Sequence, residues 1–286
     1  MLNDFETALR KLHRAGRKQF GDDWVPELKR RRVKLETAYA TLWEQDRDPI
    51  AYASMSAQAA YVFAYAPVRA EYTRQYLTRH RQALGQPLFP NTHARVVSFG
   101  GGPGSELVGL VRYLEDDSNA EPVESIEYSV YDKDGDWDDV AATVVAGLKT
   151  DITIQMRYDA VDAASRTRMG QIDLSDTDLV MFSYIMSELA RLGRKDQIAE
   201  NFRSTLSNLK LNSKILFIDN LHPIFIQYFH QCKLVTGLMQ KNDDDAAIIC
   251  DFGDFPETFQ VLSQALEWIP RTELRSVSKL IARNRL

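Results

Sequence analysis

The sequence predicts an α/β fold, in which a seven-stranded sheet covered by helices follows an all-helical N-terminal segment. Two observations predict it. From about residue 94 onward, short apolar segments alternate with helical stretches, which is typical of a parallel sheet with helices on both faces. Residues 1–92 have an entirely helical pattern, and Pro87 and Pro90 mark the boundary with a core at 93–286.

Each predicted strand is a short run of apolar or alternating residues, and the second strand ends in the carboxylate Asp132. The third has the period of two that half-buried strands show. A helix is predicted directly after the first strand, at 107–114. The seven predicted strands are 96–99, 125–132, 152–158, 178–184, 214–219, 246–250 and 276–282.

Four glycines follow the first strand within five positions: Gly100, Gly101, Gly102 and Gly104. Because glycine has no Cβ, such a turn reverses sharply and lets a bulky ligand lie against bare backbone. The free amides at the start of the next helix then face that ligand. Strand, glycine turn and helix together predict a nucleotide-type cofactor pocket at the edge of the sheet.

The glycine spacing selects among cofactors. In a dinucleotide fingerprint that starts at Gly100 the third glycine falls on Ser105, and a phosphate-binding P-loop needs a lysine that this turn lacks. The pattern that fits is G-x-G-x-G at Gly100, Gly102 and Gly104. Here the chain resembles the class I, Rossmann-like methyltransferases that use S-adenosylmethionine (SAM). A tight turn without a ligand is the alternative.

This resemblance covers about residues 94–286 and implies SAM as cofactor. An acid at the end of strand two binds the ribose hydroxyls, which points to Asp132 with Asp134 as second choice. A polar residue after strand three meets the adenine amine, which points to Asp159. The cofactor-binding residues that it implies are Gly100, Gly101, Gly102, Gly104, Glu106, Asp132, Asp159, Ala160 and Ser183.

The chain departs from the family pattern at Ser98, where these proteins usually have an acid that contacts the methionine end of SAM. Glu106 is expected to compensate. An acidic loop at 115–124 also lengthens the interval between the glycine turn and Asp132.

The acidic run that begins at Asp132 does not predict a metal site. Read as an EF-hand loop, it has Trp137 at position six and Thr143 at position twelve, where glycine and glutamate are required. A ribose-binding turn that enters an acid-capped helix fits better. Trp137 either borders the adenine or packs in the core.

Composition predicts a cytoplasmic protein that does not enter a membrane. The chain has 286 residues, 44% of them hydrophobic, enough for a full core. It has no apolar run of eighteen residues and no signal-peptide pattern at its start. Its two cysteines suit a reducing compartment.

The N-terminal segment is basic although the whole chain carries a formal charge of −5. Residues 1–92 contain 15 Lys and Arg against 10 Asp and Glu, and the densest basic run is 29–34. Such a run is predicted either to contact RNA phosphates or to form a solvated helix face.

Tyrosines are concentrated at 59–77, around Pro67. In the family that the chain resembles, helices before the core often close over the cofactor. We therefore expect Tyr65 and Arg69, with Tyr184 after strand four, to line the acceptor site. The alternative is that the tyrosines only pack the helices on the sheet.

The acceptor has fewer sequence signals than the cofactor. The Asn/Asp-Pro-Pro-Tyr/Phe motif of many amino-methylating enzymes is absent after strand four, where the chain has Ser183-Tyr184. Glu188 and His222 are the candidate catalytic residues near the ends of strands four and five, and the imidazole of His222 titrates near neutrality. A structural role is the alternative for His222.

Three functions are compatible with these residues. The first is a SAM-dependent methyltransferase that acts on RNA, which the basic helices favour slightly and a layout similar to that of ribosomal-RNA methyltransferases favours weakly. The second is the same reaction on a small molecule or a protein side chain, favoured by the acidic total charge and the aromatic helix. The third is a methyltransferase-like assembly partner without activity, which the missing acid at Ser98 keeps open. The oligomeric state is not predicted.

Overall fold

The N-terminal segment of the computed structural model, which describes residues 1–233 and 238–283, contains helices separated by one irregular stretch. The prediction of an entirely helical segment is wrong for residues 41–54. Asp48-Pro49 lies within this stretch, and proline both removes a backbone donor and disfavours helix at the residue before it. The helices are α1 (Leu2–Phe20), α2 (Trp24–Ala40), α3 (Met55–Ala64) and α4 (Ala66–Leu84).

The described strands form one seven-stranded sheet in the order β3-β2-β1-β4-β5-β7-β6. They are β1 (His93–Phe99), β2 (Ser125–Asp132), β3 (Thr153–Ala160), β4 (Leu179–Ser183), β5 (Lys214–Asn220), β6 (Leu238–Ile249) and β7 (Glu273–Arg283). Strands β1 to β5 are parallel neighbours. The predicted fold class is confirmed. Strand β7 departs from the parallel arrangement and runs antiparallel between β5 and β6.

Helices cover both faces of this sheet. On one face Phe99, Phe182 and Phe217 form a layer that packs against Phe202 and Phe229 of two helices of the core. The rings of Phe99 and Phe182 stack at a centroid distance of 5.2 Å. The other face packs beneath α4 and the first helix of the core. The core helices are α5 (Ser105–Leu114), α6 (Trp137–Gly147), α7 (Arg166–Met169), α8 (Met186–Leu189), α9 (Lys195–Leu206), α10 (Pro223–Cys232) and α11 (Glu257–Leu266).

Two tyrosines fasten α4 to the antiparallel end of the sheet. The hydroxyl of Tyr72 donates to the carbonyl of Ile248 at 2.5 Å, and that of Tyr76 donates to the carbonyl of Ser276 at 3.0 Å. Tyr72 and Tyr76 therefore pack a helix on the sheet, as the alternative for these tyrosines predicted. No helix of the described chain is both long and apolar enough to cross a membrane.

Helices α4 and α5 approach each other closely at Gly109. A Cβ there would lie 2.3 Å from the carbonyl oxygen of Ala70 and 2.6 Å from the Cβ of Thr73. We expect Gly109→Ala to lower the free energy of unfolding by about 2 kcal/mol, because the helices must separate. Urea denaturation followed by circular dichroism measures this.

Gly147→Ala is the matched control, since its Cβ would meet Thr7 at an ordinary 3.6 Å. That variant should be unchanged or slightly more stable, because alanine favours helix over glycine. A Gly109→Ala protein as stable as the wild type would show that the two helices are not held at this distance.

Candidate active site

A cavity of about 350 Å³ opens at the carboxyl ends of strands β1 to β4. Gly100 follows β1, Asp132 ends β2, Asp162 follows β3 and Ser183 ends β4, and all four line the cavity. Open α/β sheets bind their ligands at this edge. The cavity volume is in the range of small-molecule sites.

The glycine turn presents bare backbone to this cavity at Gly100 and Gly102. Gly100, Gly102 and Gly104 have φ angles of 72°, 44° and 85°, which disfavour any side chain. A Cβ on Gly100 would also lie 2.7 Å from Cδ1 of Ile185. Gly101 and Gly104 are not among the lining residues. They close the turn through a hydrogen bond of 2.8 Å from the Gly104 amide to the Gly101 carbonyl.

Asp132 is held against the glycine turn. Its Oδ2 accepts a hydrogen bond of 3.0 Å from the amide of Gly102, and its Oδ1 accepts one of 2.9 Å from the amide of Asp134. Burial raises the pKa of Asp132, whereas these backbone donors lower it. The fixed carboxyl group therefore offers hydrogen-bond acceptors at the cavity wall beside the turn.

The structure does not bring Asp159 to the cavity. Strand β3 continues to Ala160, two residues beyond its predicted end, and Ala160 pairs with Asp132 within the sheet. The Asp159 carboxylate instead forms an ion pair of 2.7 Å with Arg157. The acid that follows the strand and lines the cavity is Asp162, which sequence reasoning missed. The sequence pointed to Asp159 because it placed the end of β3 two residues too early.

Beside the glycine turn lies a group of buried polar side chains. Ser98 is fully buried, and Glu106, on the first turn of α5, is 2% exposed. Burial raises the pKa of Glu106 to about 7, and the nearby Arg69 opposes this rise. Oε2 of Glu106 and Oγ of Ser183 have no hydrogen-bond partner among the residues described. Ser183 lines the cavity, whereas Glu106 lies beside Ser183 and does not line it.

Arg69 of α4 reaches the cavity through a cluster of tyrosines. Its Cζ lies 4.4 Å from the ring centroid of Tyr184, 5.0 Å from that of Tyr61 and 5.5 Å from that of Tyr39. The guanidinium donates to the hydroxyls of Tyr61 and Tyr39. Arg69 and Tyr184 line the cavity, whereas Tyr65 does not line it and is buried with its ring 4.7 Å from that of Tyr39.

Glu188 lines the other side of the cavity. Its Oε1 accepts a hydrogen bond of 3.0 Å from the hydroxyl of Tyr52, which in turn lies 2.7 Å from that of Tyr39. Burial raises the pKa of Glu188 to about 7, against the lowering influence of Arg69 and of the Tyr52 hydrogen bond. A carboxyl group with this pKa can take up or release a proton near neutral pH.

His222 does not join Glu188. It is the N-cap of α10, where its Nδ1 accepts a hydrogen bond of 3.3 Å from the amide of Ile224. It is not among the residues that line the cavity. The structural alternative for this histidine therefore accounts for its position.

The irregular stretch 41–54 forms a wall of the cavity that the sequence did not reveal. Arg47 donates to the carbonyls of Ser187 and Glu188, which ties the stretch to the turn after β4. Tyr52 packs its ring against Trp137 at a centroid distance of 5.8 Å. The sole sequence signal was the helix break at Asp48-Pro49, and it carried no information about a site.

Comparisons with solved structures show only low sequence identity. A SAM-dependent methyltransferase from Methanosarcina mazei shares 9% identity, with a TM-score of 0.42 over 70% of this chain and 100% of that one. The N-methyltransferase NodS from Bradyrhizobium japonicum shares 10%, with a TM-score of 0.41 over 73% of this chain and 96% of its own. A "putative RNA methyltransferase" from Pyrococcus horikoshii shares 11%, with a TM-score of 0.42 over 87% and 97%. No curated protein matches the chain.

A family described as "Putative SAM-dependent methyltransferase" matches residues 11–209. This range is well over half of the chain, and it contains every residue that lines the cavity, from Pro49 to Phe202. The predicted family and cofactor are thereby confirmed. The chain belongs to this family of SAM-dependent methyltransferases, and its cofactor is SAM.

Proposed function

We propose that the protein transfers the methyl group of SAM to a nitrogen or oxygen atom of a planar acceptor bound in the cavity. The observation that carries this proposal is that the glycine turn, Asp132 and Glu188 line one cavity. When bound, SAM supplies a methyl group already activated by the sulfonium charge. The protein then has to hold the acceptor in line, about 3 Å from that group, and take up its proton.

The residues present fit SAM. The backbone at Gly100 and Gly102 makes room for it, and Asp132 has the position to accept hydrogen bonds from the ribose hydroxyls. We assign the adenine amine to Asp162 in place of Asp159, because Asp162 lines the cavity and Asp159 does not. We assign the methionine end of SAM to the part of the cavity at Ser183, whose Oγ is unpartnered among the described residues and beside which Glu106 lies.

The aromatic side chains supply the acceptor subsite. Tyr52 and Tyr61 pack at a centroid distance of 5.4 Å, and both contact Trp137. All three line the cavity together with Glu188. Planar groups, including unstacked nucleobases, pack well on such rings. Glu188 is assigned as the group that receives the acceptor's proton.

RNA is the first acceptor class that we propose, and one exposed cation of α2, Lys34, supports it. Lys34 is exposed and has no ion-pair partner in the described ranges. The other cations of the run 29–34 are balanced. Lys29 lies 3.6 Å from Glu267, Arg30 and Arg31 pair with Glu27, and Arg32 pairs with Glu36. A small planar molecule is the second candidate, favoured by the burial of the tyrosine cluster.

Labelled methyl transfer distinguishes the two classes. We would incubate the protein with methyl-labelled SAM and, separately, with total RNA and with a protein-free small-molecule extract. Label in RNA that ribonuclease releases, and that the Asp132→Ala variant does not incorporate, supports the first class. Label confined to the extract supports the second. Methyl transfer to neither acceptor nor to added protein would contradict the proposed function.

Asp132→Ala should weaken SAM binding by about 1–3 kcal/mol, because it removes a charged hydrogen-bond acceptor from the ribose. Isothermal titration calorimetry measures this. Asp138→Ala is the control, since Asp138 is exposed on α6 and does not line the cavity. Equal affinities for all three proteins would remove Asp132 from the site.

A further inference from the structure

We propose that Arg69 binds the carboxylate of the methionine part of SAM, so that the N-terminal helical segment makes a direct cofactor contact. This assignment rests on the proposed function. It moves Arg69 from the acceptor subsite, where sequence analysis placed it, to the cofactor subsite.

Arg69 is a buried cation that pairs with no carboxylate among the described residues. Its side chain is 6% exposed, and it forms no ion pair with any carboxylate in the described parts of the chain. Its hydrogen bonds go to the hydroxyls of Tyr61 and Tyr39, and its Nε has no partner there. Burial raises the pKa of both tyrosines, so their hydroxyls stay neutral. A buried charge of this kind is costly unless an anion meets it.

The position of Arg69 selects the methionine end of the cofactor. Its guanidinium lies over the ring of Tyr184, the residue directly after β4, and its charge acts on Glu106 at the start of α5. Asp132, which we assign to the ribose, lies on the far side of β1, at the end of β2. A carboxylate that extends from the ribose past the glycine turn therefore approaches Arg69.

The neighbouring carboxyl group complements this assignment. The methionine part of SAM carries an ammonium as well as a carboxylate. We assign the ammonium to Glu106, whose Oε2 is unpartnered among the described residues and which lies beside the cavity-lining Ser183. One charged residue from α4 and one from α5 thus match the two charges of the ligand.

Glu188 does not neutralise Arg69 in place of a ligand. The two side chains are joined through two tyrosine hydroxyls: Arg69 donates to Tyr39 at 3.3 Å, Tyr39 lies 2.7 Å from Tyr52, and Tyr52 donates to Glu188 at 3.0 Å. Arg69 and Glu188 form no direct ion pair in the described ranges, although the charge of Arg69 lowers the pKa of Glu188, and the Nε of Arg69 has no partner there.

Calorimetry with SAM and with decarboxylated SAM tests the assignment, because these ligands differ in the carboxylate alone. The wild type should bind SAM about 10- to 100-fold more tightly, as expected for a charged hydrogen-bonded pair. Arg69→Met should lose that factor for SAM and keep its affinity for decarboxylated SAM within about threefold. Arg271→Met, which changes an arginine outside the cavity, should retain the wild-type preference.

Equal binding of the two ligands by the wild type would overturn the assignment without any variant, so a misfolded Arg69→Met protein does not leave it untested. An equal loss of affinity for both ligands in a folded Arg69→Met protein would also overturn it. Absence of SAM binding to the wild type would contradict the proposed function itself, which separates the two failures.

Discussion

Glu188→Gln is expected to lower the rate of methyl transfer by about 10²–10⁴-fold, the range typical of a lost general base. Glutamine keeps the shape of the side chain and can still accept a hydrogen bond from Tyr52, but it cannot take up the acceptor's proton. SAM affinity should stay within about threefold, because our assignments place Glu188 at the acceptor. The rate is measured with labelled SAM at saturating concentration, and affinity by calorimetry.

The pH dependence of the rate gives an independent test. Burial raises the pKa of Glu188 to about 7. Below that pH the carboxyl group is protonated and cannot act as a base, so the rate should fall about tenfold per pH unit there. Above it the rate should level off. In Glu188→Gln this fall of the rate below about pH 7 should disappear.

The exposed Glu200 of α9 provides the matched control, because Glu200→Gln makes the same chemical change outside the cavity. That variant should keep the wild-type rate of methyl transfer and the wild-type fall of the rate below about pH 7. A Glu188→Gln protein whose profile still bends near pH 7 would assign the titration to another group. Glu106 is the first to examine, since the pKa of its carboxyl group is also raised to about 7.

Local sequence patterns predicted the parts of the site that a single segment forms. Strand β2 begins and ends at the predicted residues, and the glycine turn lines the cavity at Gly100 and Gly102. Both depend on short-range physics: the period of apolar residues in a strand, and positive φ angles that glycine tolerates. Asp132 follows directly from the end of β2.

The remaining parts depend on contacts between segments far apart in the chain. Tyr52 meets Glu188 across 136 positions, and neither residue carries a pattern that points to the other. Asp162 was missed because strand ends are the least certain feature of a sequence-based prediction, and a shift of two residues exchanged one aspartate for another. Arg69 was expected near the site, but its buried, unpaired state is visible only in the folded chain.

The run 29–34 illustrates a different limit. Its sequence is strongly basic, yet Glu27, Glu36 and Glu267 face four of its five cations. Glu27 and Glu36 lie near the run in sequence, at the i,i+3 and i,i+4 spacing that pairs charges on a helix. Glu267 is brought there by the packing of α11 on α2. A count of charges alone therefore overstated the basic surface.

Gly102→Val should abolish measurable SAM binding, a loss of more than about 100-fold, or about 3 kcal/mol. The φ angle of 44° is unfavourable for a β-branched residue. A side chain there would also project into the cavity toward Trp137, whose ring lies 3.9 Å from the expected Cβ. Strain at this residue further disturbs its amide, which holds Oδ2 of Asp132 at 3.0 Å.

Gly85→Val is the control that separates the effect of backbone strain from the effect of a side chain that occupies the SAM site. Gly85 ends α4 with a φ of 66°, and its Cβ would meet no atom within 4 Å. Both variants should lose about 1–3 kcal/mol of stability from the backbone alone, measured by urea denaturation. Only Gly102→Val should lose SAM binding in calorimetry. If Gly102→Val folds and binds SAM with wild-type affinity, the cofactor does not lie against the glycine turn. If Gly85→Val loses SAM binding equally, the loss in both variants comes from lower stability and not from a lost contact with SAM.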